Sequence, residues 1–190
     1  MSSKVLHPLR QQCVQGVHGK VLEIGFGTGL NLPFYSKDVV EVHAVDVNPK
    51  MAPKALQRIE EIPFPVQHHV LSGESLPMEV ESFDFVVSTF KLCSIAKVYQ
   101  AVQEVWRVLR PGGLLCFLEH GLSLDPKVAS WQTRLNPLQH VLGDSCHLNR
   151  PMDQLVCSQP FQVRPIQTFY LEGVPRVIGC LYQEQAQKPA

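Results

Sequence analysis

Three glycines at alternating positions, Gly25, Gly27 and Gly29, follow directly on the apolar run Val21-Leu22-Glu23-Ile24, and Asp46 ends the next apolar run. Glycine has no Cβ and tolerates positive φ, so such a turn lets the backbone approach a ligand closely. An acid at the end of the following strand can accept both hydroxyls of a ribose in a bidentate pair. The dinucleotide fingerprint GxGxxG needs glycine where Leu30 stands, and the phosphate-cradling GxxxxGK[ST] fails because no Lys-Ser or Lys-Thr follows. Neither a pyrophosphate nor a triphosphate is favoured.

These residues need a scaffold, and the remaining pattern supplies one. Apolar runs bounded by turn residues alternate with stretches of helical period, the signature of βαβ units. Strands are predicted at 20–24, 39–46, 65–70, 83–88 and 114–118, with Glu119-His120-Gly121 just past the end of the fifth. Residues 31–35 can open a helix. Asn48-Pro49 predicts an N-cap with proline at the first helical position, and Met51, Ala55 and Ile59 space one face, although Pro53 delays or bends that helix. Val98, Val102, Val105 and Leu109 mark an amphipathic helix stopped by Pro111-Gly112-Gly113. Asp125-Pro126 starts a long helix carrying Val128, Trp131, Leu135, Leu138 and Leu142, with Pro137 kinking it before Gly143. After a helix near 151–158, strands at 163–170 and 177–182 form an antiparallel hairpin, and the polar tail from Gln183 frays. The predicted fold is α/β: a doubly wound, Rossmann-like, seven-stranded sheet of five parallel strands plus the hairpin. It makes one domain over 1–190, with a helical insertion at about 122–150.

Length and composition agree. The chain has 190 residues, enough for one core without disulfides or metal. Seventeen basic residues balance 17 acidic ones, so no electrostatic footprint for nucleic acid is present. No apolar stretch approaches the roughly 20 residues of a membrane span, and no signal-peptide pattern opens the chain. A cytoplasmic protein is expected. The six cysteines lack CxxC or CxH spacing and read as reduced thiols, so no metal site is expected. Cys93, Cys116 and Cys180 are read as core.

Val21-Leu22-Glu23-Ile24-Gly25-Phe26-Gly27-Thr28-Gly29 resembles motif I of class I methyltransferases that use S-adenosylmethionine (SAM). Asp46-Val47-Asn48-Pro49 is similar to their ribose-binding loop, 82–88 to their fourth-strand motif, and 105–113 to the helix-to-strand motif of the ubiquinone/menaquinone-biosynthesis type. The resemblance implies that SAM is the cofactor. Gly25, Gly27 and Gly29, with Phe26, Thr28 and Asn31 in and after the turn, would then underlie the methionine moiety. It likewise implies that Glu23 serves the amino group through the loop or a water, Asp46 the ribose and Val47 the adenine face. Ser72, Gly73 and Glu74 are implied at the adenine edge, Ser72 standing where many relatives have aspartate, and Thr89 near the methionine end.

Methyl transfer from a sulfonium is an in-line displacement, so the protein chiefly positions the acceptor and excludes water. Residues 89–94 and 119–121 are expected to face that acceptor. Residues 117–120, 131–137 and 146–150 resemble a subgroup that includes membrane-associated alkyl thiol methyltransferases, whose N-terminal anchor is not expected here. His120 is the candidate general base for a thiol, phenol or hydroxyl; the alternative is a histidine bonded to a carboxylate to fix the insertion. His147 is the second candidate, or else a helix cap. Trp131 and Phe90 are read as packing rather than substrate wall, and adjacent Cys146 and His147 point apart on a strand, against a covalent pair. The expected partner is a small-molecule acceptor modified on sulfur, oxygen or carbon. Ser88-Thr89-Phe90-Lys91 offers no Asn/Asp-Pro-Pro-Tyr clamp for base amino groups. The alternatives are a nicotinamide oxidoreductase and a SAM-binding module without turnover.

Overall fold

A computed structural model describes residues 4–50, 53–143, 145–163 and 165–190. The strands are β1 (Gly19–Ile24), β2 (Val39–Asp46), β3 (Val66–Val70), β4 (Phe83–Thr89), β5 (Leu109–His120), β6 (Gln162–Val163), β7 (Gln167–Tyr170) and β8 (Cys180–Gln187). The helices are α1 (His7–Cys13), α2 (Pro53–Glu60), α3 (Val98–Val108), α4 (Pro126–Leu142), α5 (Met152–Val156) and α6 (Arg176–Gly179). No helix among the described residues is long and apolar enough to cross a membrane.

The sheet runs β3-β2-β1-β4-β5-β8-β6, with β7 also on β8. The first five strands are parallel and β8 is antiparallel to β5. Parallel strands buried on both faces need unbroken apolar runs, and β1, β4 and the second half of β5 have them. One face packs Val98, Ala101, Val102, Val105 and Val108 of α3 against Leu22, Val86, Leu115 and Phe117. The other packs Cys13 of α1 and Ala55 of α2 against Val21, Val42, Val87 and Leu118. Helices on both faces make the sheet doubly wound, as expected.

Several boundaries differ from expectation. Residues 31–35 form only a short 3-10 turn at Leu32–Phe34, not an α-helix. Asn48-Pro49 does not start a helix: Pro49 and Lys50 are non-helical, and Asn48 Oδ1 accepts from the backbone of Lys50 at 3.1 Å. Met51, assigned to that helix face, lies outside the described residues. Glu119 and His120 belong to β5 and are buried.

The C-terminal end departs most. Among the described residues eight strands replace the expected seven, because the outer position beside β8 is shared by β6 and β7. Residues 176–179 are helical, and the last strand runs later, so Gln183 to Gln187 is sheet rather than frayed tail. Those polar residues are held by backbone ladders on both edges, which hydropathy does not report. Lys188 is held by Nζ bonds to the carbonyls of Leu109 at 2.8 Å and Trp106 at 3.1 Å.

In α4 the apolar positions do not form a core face: Trp131, Leu138 and Leu142 are 53%, 57% and 75% exposed. Its anchor is polar. Buried Gln132 accepts from Ser123 N at 2.7 Å and donates to Gly121 O at 3.0 Å. Asp125 caps the helix by accepting from Lys127 N, as the Asp-Pro start implied.

Candidate active site

The winding of the sheet reverses between β1 and β4, and ligands of such sheets bind outside the carboxyl ends of the strands there. A cleft of about 630 Å³ opens at that point, within the range of small-molecule sites.

One end is built from the β1 turn and the end of β2. Gly25, Gly27 and Gly29 have φ of 79°, 56° and 70°. A Cβ on Gly25 would come within 2.4 Å of the Lys91 side chain, so that position takes only glycine without displacement. Asp46 Oδ2 accepts from Gly27 N at 2.8 Å and Oδ1 from Asn48 N at 2.9 Å. Two backbone donors thus orient the carboxylate, while lone pairs on both oxygens stay available to a ligand. Val47, 56% exposed, lines the same wall with Phe26 and Thr28.

Beneath this end lies a buried polar network. Asn31 Nδ2 donates to Glu23 Oε1 at 2.9 Å, and Tyr35 OH donates to Oε2 at 2.7 Å. Burial pushes the Glu23 carboxyl up to about 7, although those two bonds and the charge of Arg10 pull the other way. Arg10 Nη1 donates to Asn31 Oδ1 at 2.9 Å and to Thr89 Oγ1 at 2.6 Å. Arg10, only 5% exposed yet on the cleft wall, carries no sequence signal: it is one arginine on a short polar helix. Burial lowers its pKa and the Glu23 charge partly restores it.

Not every expected cofactor residue meets the cleft. Asn31 is fully buried and acts through Glu23 and Thr89, and Gly29 lies behind the wall against Leu32 and Phe26. Ser72, Gly73 and Glu74 are not among the lining residues. Glu74 Oε1 instead accepts from Lys97 N at 2.7 Å, where α3 begins, and Ser72 Oγ accepts from Glu74 N at 3.3 Å.

The other end is assembled from β4, β5 and the insertion. Phe90 has a φ of 56°, a left-handed conformation that a bulky residue adopts only when its surroundings impose it. The imposing group is Glu119, fully buried beneath the turn. Its Oε1 accepts from Ser88 Oγ at 2.7 Å and from the backbones of Lys91 and Leu92 at 3.0 Å each, and its Oε2 from Cys93 N at 3.2 Å. Arg150 donates to the carbonyls of Leu92 and Ile95, and His147 N donates to Cys93 O at 2.9 Å. Cys146 is thereby laid over Cys93, their sulfurs 3.4 Å apart. The shared hydrogen bond pulls the Cys146 thiol below its ordinary range and pushes Cys93 well above it.

His120 lines this end, its ring 5.1 Å from that of Phe90. Its recorded partner is Cys146 Sγ, 3.6 Å from Nδ1, rather than the carboxylate of the alternative reading. His147 is not among the lining residues; Asn136 Nδ2 approaches its Nδ1 at 3.1 Å and its ring packs on His140. Trp131 is neither core nor wall. Phe90 packs against one core cluster and Cys93 belongs to the other, as read, and both also line the cleft. Cys116 and Cys180 are core, with burial raising their thiols to about 12 and about 11. Gln139 and Gly143 of the insertion close the far side.

Residues 22–117 match the methyltransferase-domain family. The chain is 38% identical over 135 residues to thiol S-methyltransferase TMT1B of Rattus norvegicus, covering 68% of this chain and 54% of the relative. It is 37% identical over 142 residues to thiol S-methyltransferase TMT1A of Homo sapiens, covering 71% and 57%. The chain thus spans a little over half the length of these curated relatives. Over 32% identity and 127 residues it is also similar to phosphatidylethanolamine N-methyltransferase of Cereibacter sphaeroides, covering 66% and 62%. Among solved structures, YcgJ of Bacillus subtilis superposes with a TM-score of 0.75 at 18% identity over 97% of this chain and 98% of that one, a likeness of fold. With half of its length inside the family match, the glycine turn and Asp46 at the cleft and a doubly wound sheet around them, the chain belongs to the class I methyltransferase domains, whose cofactor is S-adenosylmethionine.

Proposed function

We propose that this protein methylates the sulfur of a small, largely apolar thiol. The observation that carries the reading is the single cleft running from the Gly27–Asp46 wall to the Phe90–His120–Cys146 wall. A donor and an acceptor can therefore share one space. When bound, SAM supplies a methyl group on a sulfonium whose sulfur leaves with its bonding pair. The residues present suit it: the positive-φ turn leaves backbone room, Asp46 offers acceptors to a ribose diol, and Val47 offers an exposed apolar face. Arg10 is the buried cation of this wall, and we assign it the carboxylate of the methionine moiety, with Thr89 and Glu23 completing the polar floor.

Phe90 and the end of α4 line the part of the cleft assigned to the acceptor. His120, on the acceptor wall, governs the acceptor proton. Thiol is favoured over hydroxyl or carbon because the relatives at 37% to 38% identity are named thiol S-methyltransferases, and because this wall carries sulfur and imidazole. The test is turnover of SAM with matched alkyl thiols, phenols and alcohols, reading S-adenosylhomocysteine and the methylated product by mass spectrometry. Thioether from the thiols alone is the expected result. Tight NADH binding in place of SAM, or SAM binding with no product from any acceptor, would end the proposal. Arg10→Leu is expected to weaken SAM binding while leaving affinity for decarboxylated SAM unchanged.

A further inference from the structure

No CxxC or CxH spacing announces it, yet three soft ligands meet at the acceptor wall. The sulfurs of Cys93 and Cys146 and a ring nitrogen of His120 all lie within 4.8 Å of one another, and all three residues are buried. The sulfur pair is separated by 3.4 Å and the Cys146 sulfur from His120 Nδ1 by 3.6 Å. A tetrahedral zinc with Zn–S near 2.3 Å and Zn–N near 2.05 Å has S···S edges of about 3.8 Å and S···N edges of about 3.6 Å. Two edges already match to within about 0.4 Å, and the third, from Cys93 to His120, lies within 4.8 Å and closes by up to about 1.2 Å on binding. The set is held from behind: Glu119 accepts from Cys93 N, and the backbone at His147 donates to Cys93 O.

We propose that Cys93, His120 and Cys146 bind a zinc ion whose fourth position opens into the cleft. Two thiolates and one imidazole with an open position are the donor set of a catalytic rather than a structural zinc. Softness of the ligands selects zinc over magnesium or calcium. The metal site stands on geometry alone; its use rests on the thiol reading above. An acceptor R–SH replaces a zinc-bound water, its proton passes to solvent water, and the thiolate occupies the fourth position, since a coordinated thiol is deprotonated outright. That step supplies an anionic sulfur without requiring a thiol of low pKa. A phenol or alcohol gains less, because zinc in this set prefers sulfur.

The test uses the full chain, prepared with its thiols reduced, and reads metal content by mass spectrometry. About one zinc per chain is expected, falling to under about a tenth in a Cys93→Ser, Cys146→Ser double variant. In the wild type, Co²⁺ replacing zinc should give the intense visible bands of a tetrahedral thiolate site, and added ethanethiol should change them. That readout survives even if the double variant folds poorly. No bound metal, a featureless cobalt spectrum, zinc retained in the double variant, or a Cys93–Cys146 disulfide in place of the ion would each overturn the proposal. SAM affinity, measured separately by calorimetry, should be unchanged by the two serines. Metal retained without SAM binding would sink the proposed function and leave the metal site standing.

Discussion

The two ends of the cleft are built in different ways. At the ribose end the chain partners are near neighbours: Gly27 and Asp46 are 19 residues apart, and the turn after β1 bonds directly to the end of the adjacent β2. At the acceptor end Cys93 meets Cys146 across 53 residues and His120 meets Cys146 across 26. A turn whose geometry follows from its own glycines should change only ligand affinity when altered. A wall assembled from separate elements depends on the groups that lock those elements together, so its alteration should cost stability first.

The largest test of that contrast is Glu119→Ala. It strips one carboxylate from three backbone donors and a hydroxyl, leaving them buried without partners. A loss of about 3–5 kcal/mol in urea unfolding is expected. A loss below about 1 kcal/mol would show that the turn at Phe90 holds itself. Next comes the Glu23 carboxyl, which keeps its proton to about 7 when folded against a usual value of 4.5. Between those values the folded state binds more protons than the unfolded one. The contribution is therefore intact below about 4.5 and lost as pH rises through 7, by on the order of 3 kcal/mol. Thermal unfolding from pH 5 to 8 should show that downward slope, and Glu23→Gln should flatten it.

A smaller effect, and on a different observable, is expected at the ribose end. Asp46→Ala should weaken SAM binding by about 1–3 kcal/mol in calorimetry with the fold intact. Unchanged affinity would remove Asp46 from the site. The smallest concerns the second histidine candidate. His147→Ala should change stability by under about 0.5 kcal/mol and turnover by less than about twofold, its ring being partly exposed and off the cleft wall. His120→Ala should lower turnover well beyond its effect on SAM affinity, and equal losses in the two histidine variants would erase the distinction between wall and surface.

The parallel half of the fold and the ribose end were legible because each strand and its turn carry their own pattern. β2 spans the expected Val39–Asp46, and β4 extends the expected 83–88 by one residue. Expectation failed where partners, not pattern, decide. Trp131 and Leu138 have core-like spacing, yet Gln132 anchors their helix. Residues 183–187 look like solvated tail, and ladders on both edges make them sheet.

By itself, then, the sequence determined the doubly wound parallel strands, the glycine turn and the acid beyond the next strand. Those depend on backbone freedom and on hydrophobic alternation within a short reach of chain. Only the tertiary structure decided that Arg10 enters the cleft, that Glu119 holds the Phe90 turn and that Cys93, His120 and Cys146 converge. Directional contacts between residues far apart in the chain leave no period or spacing behind, because folding alone sets the distance between them.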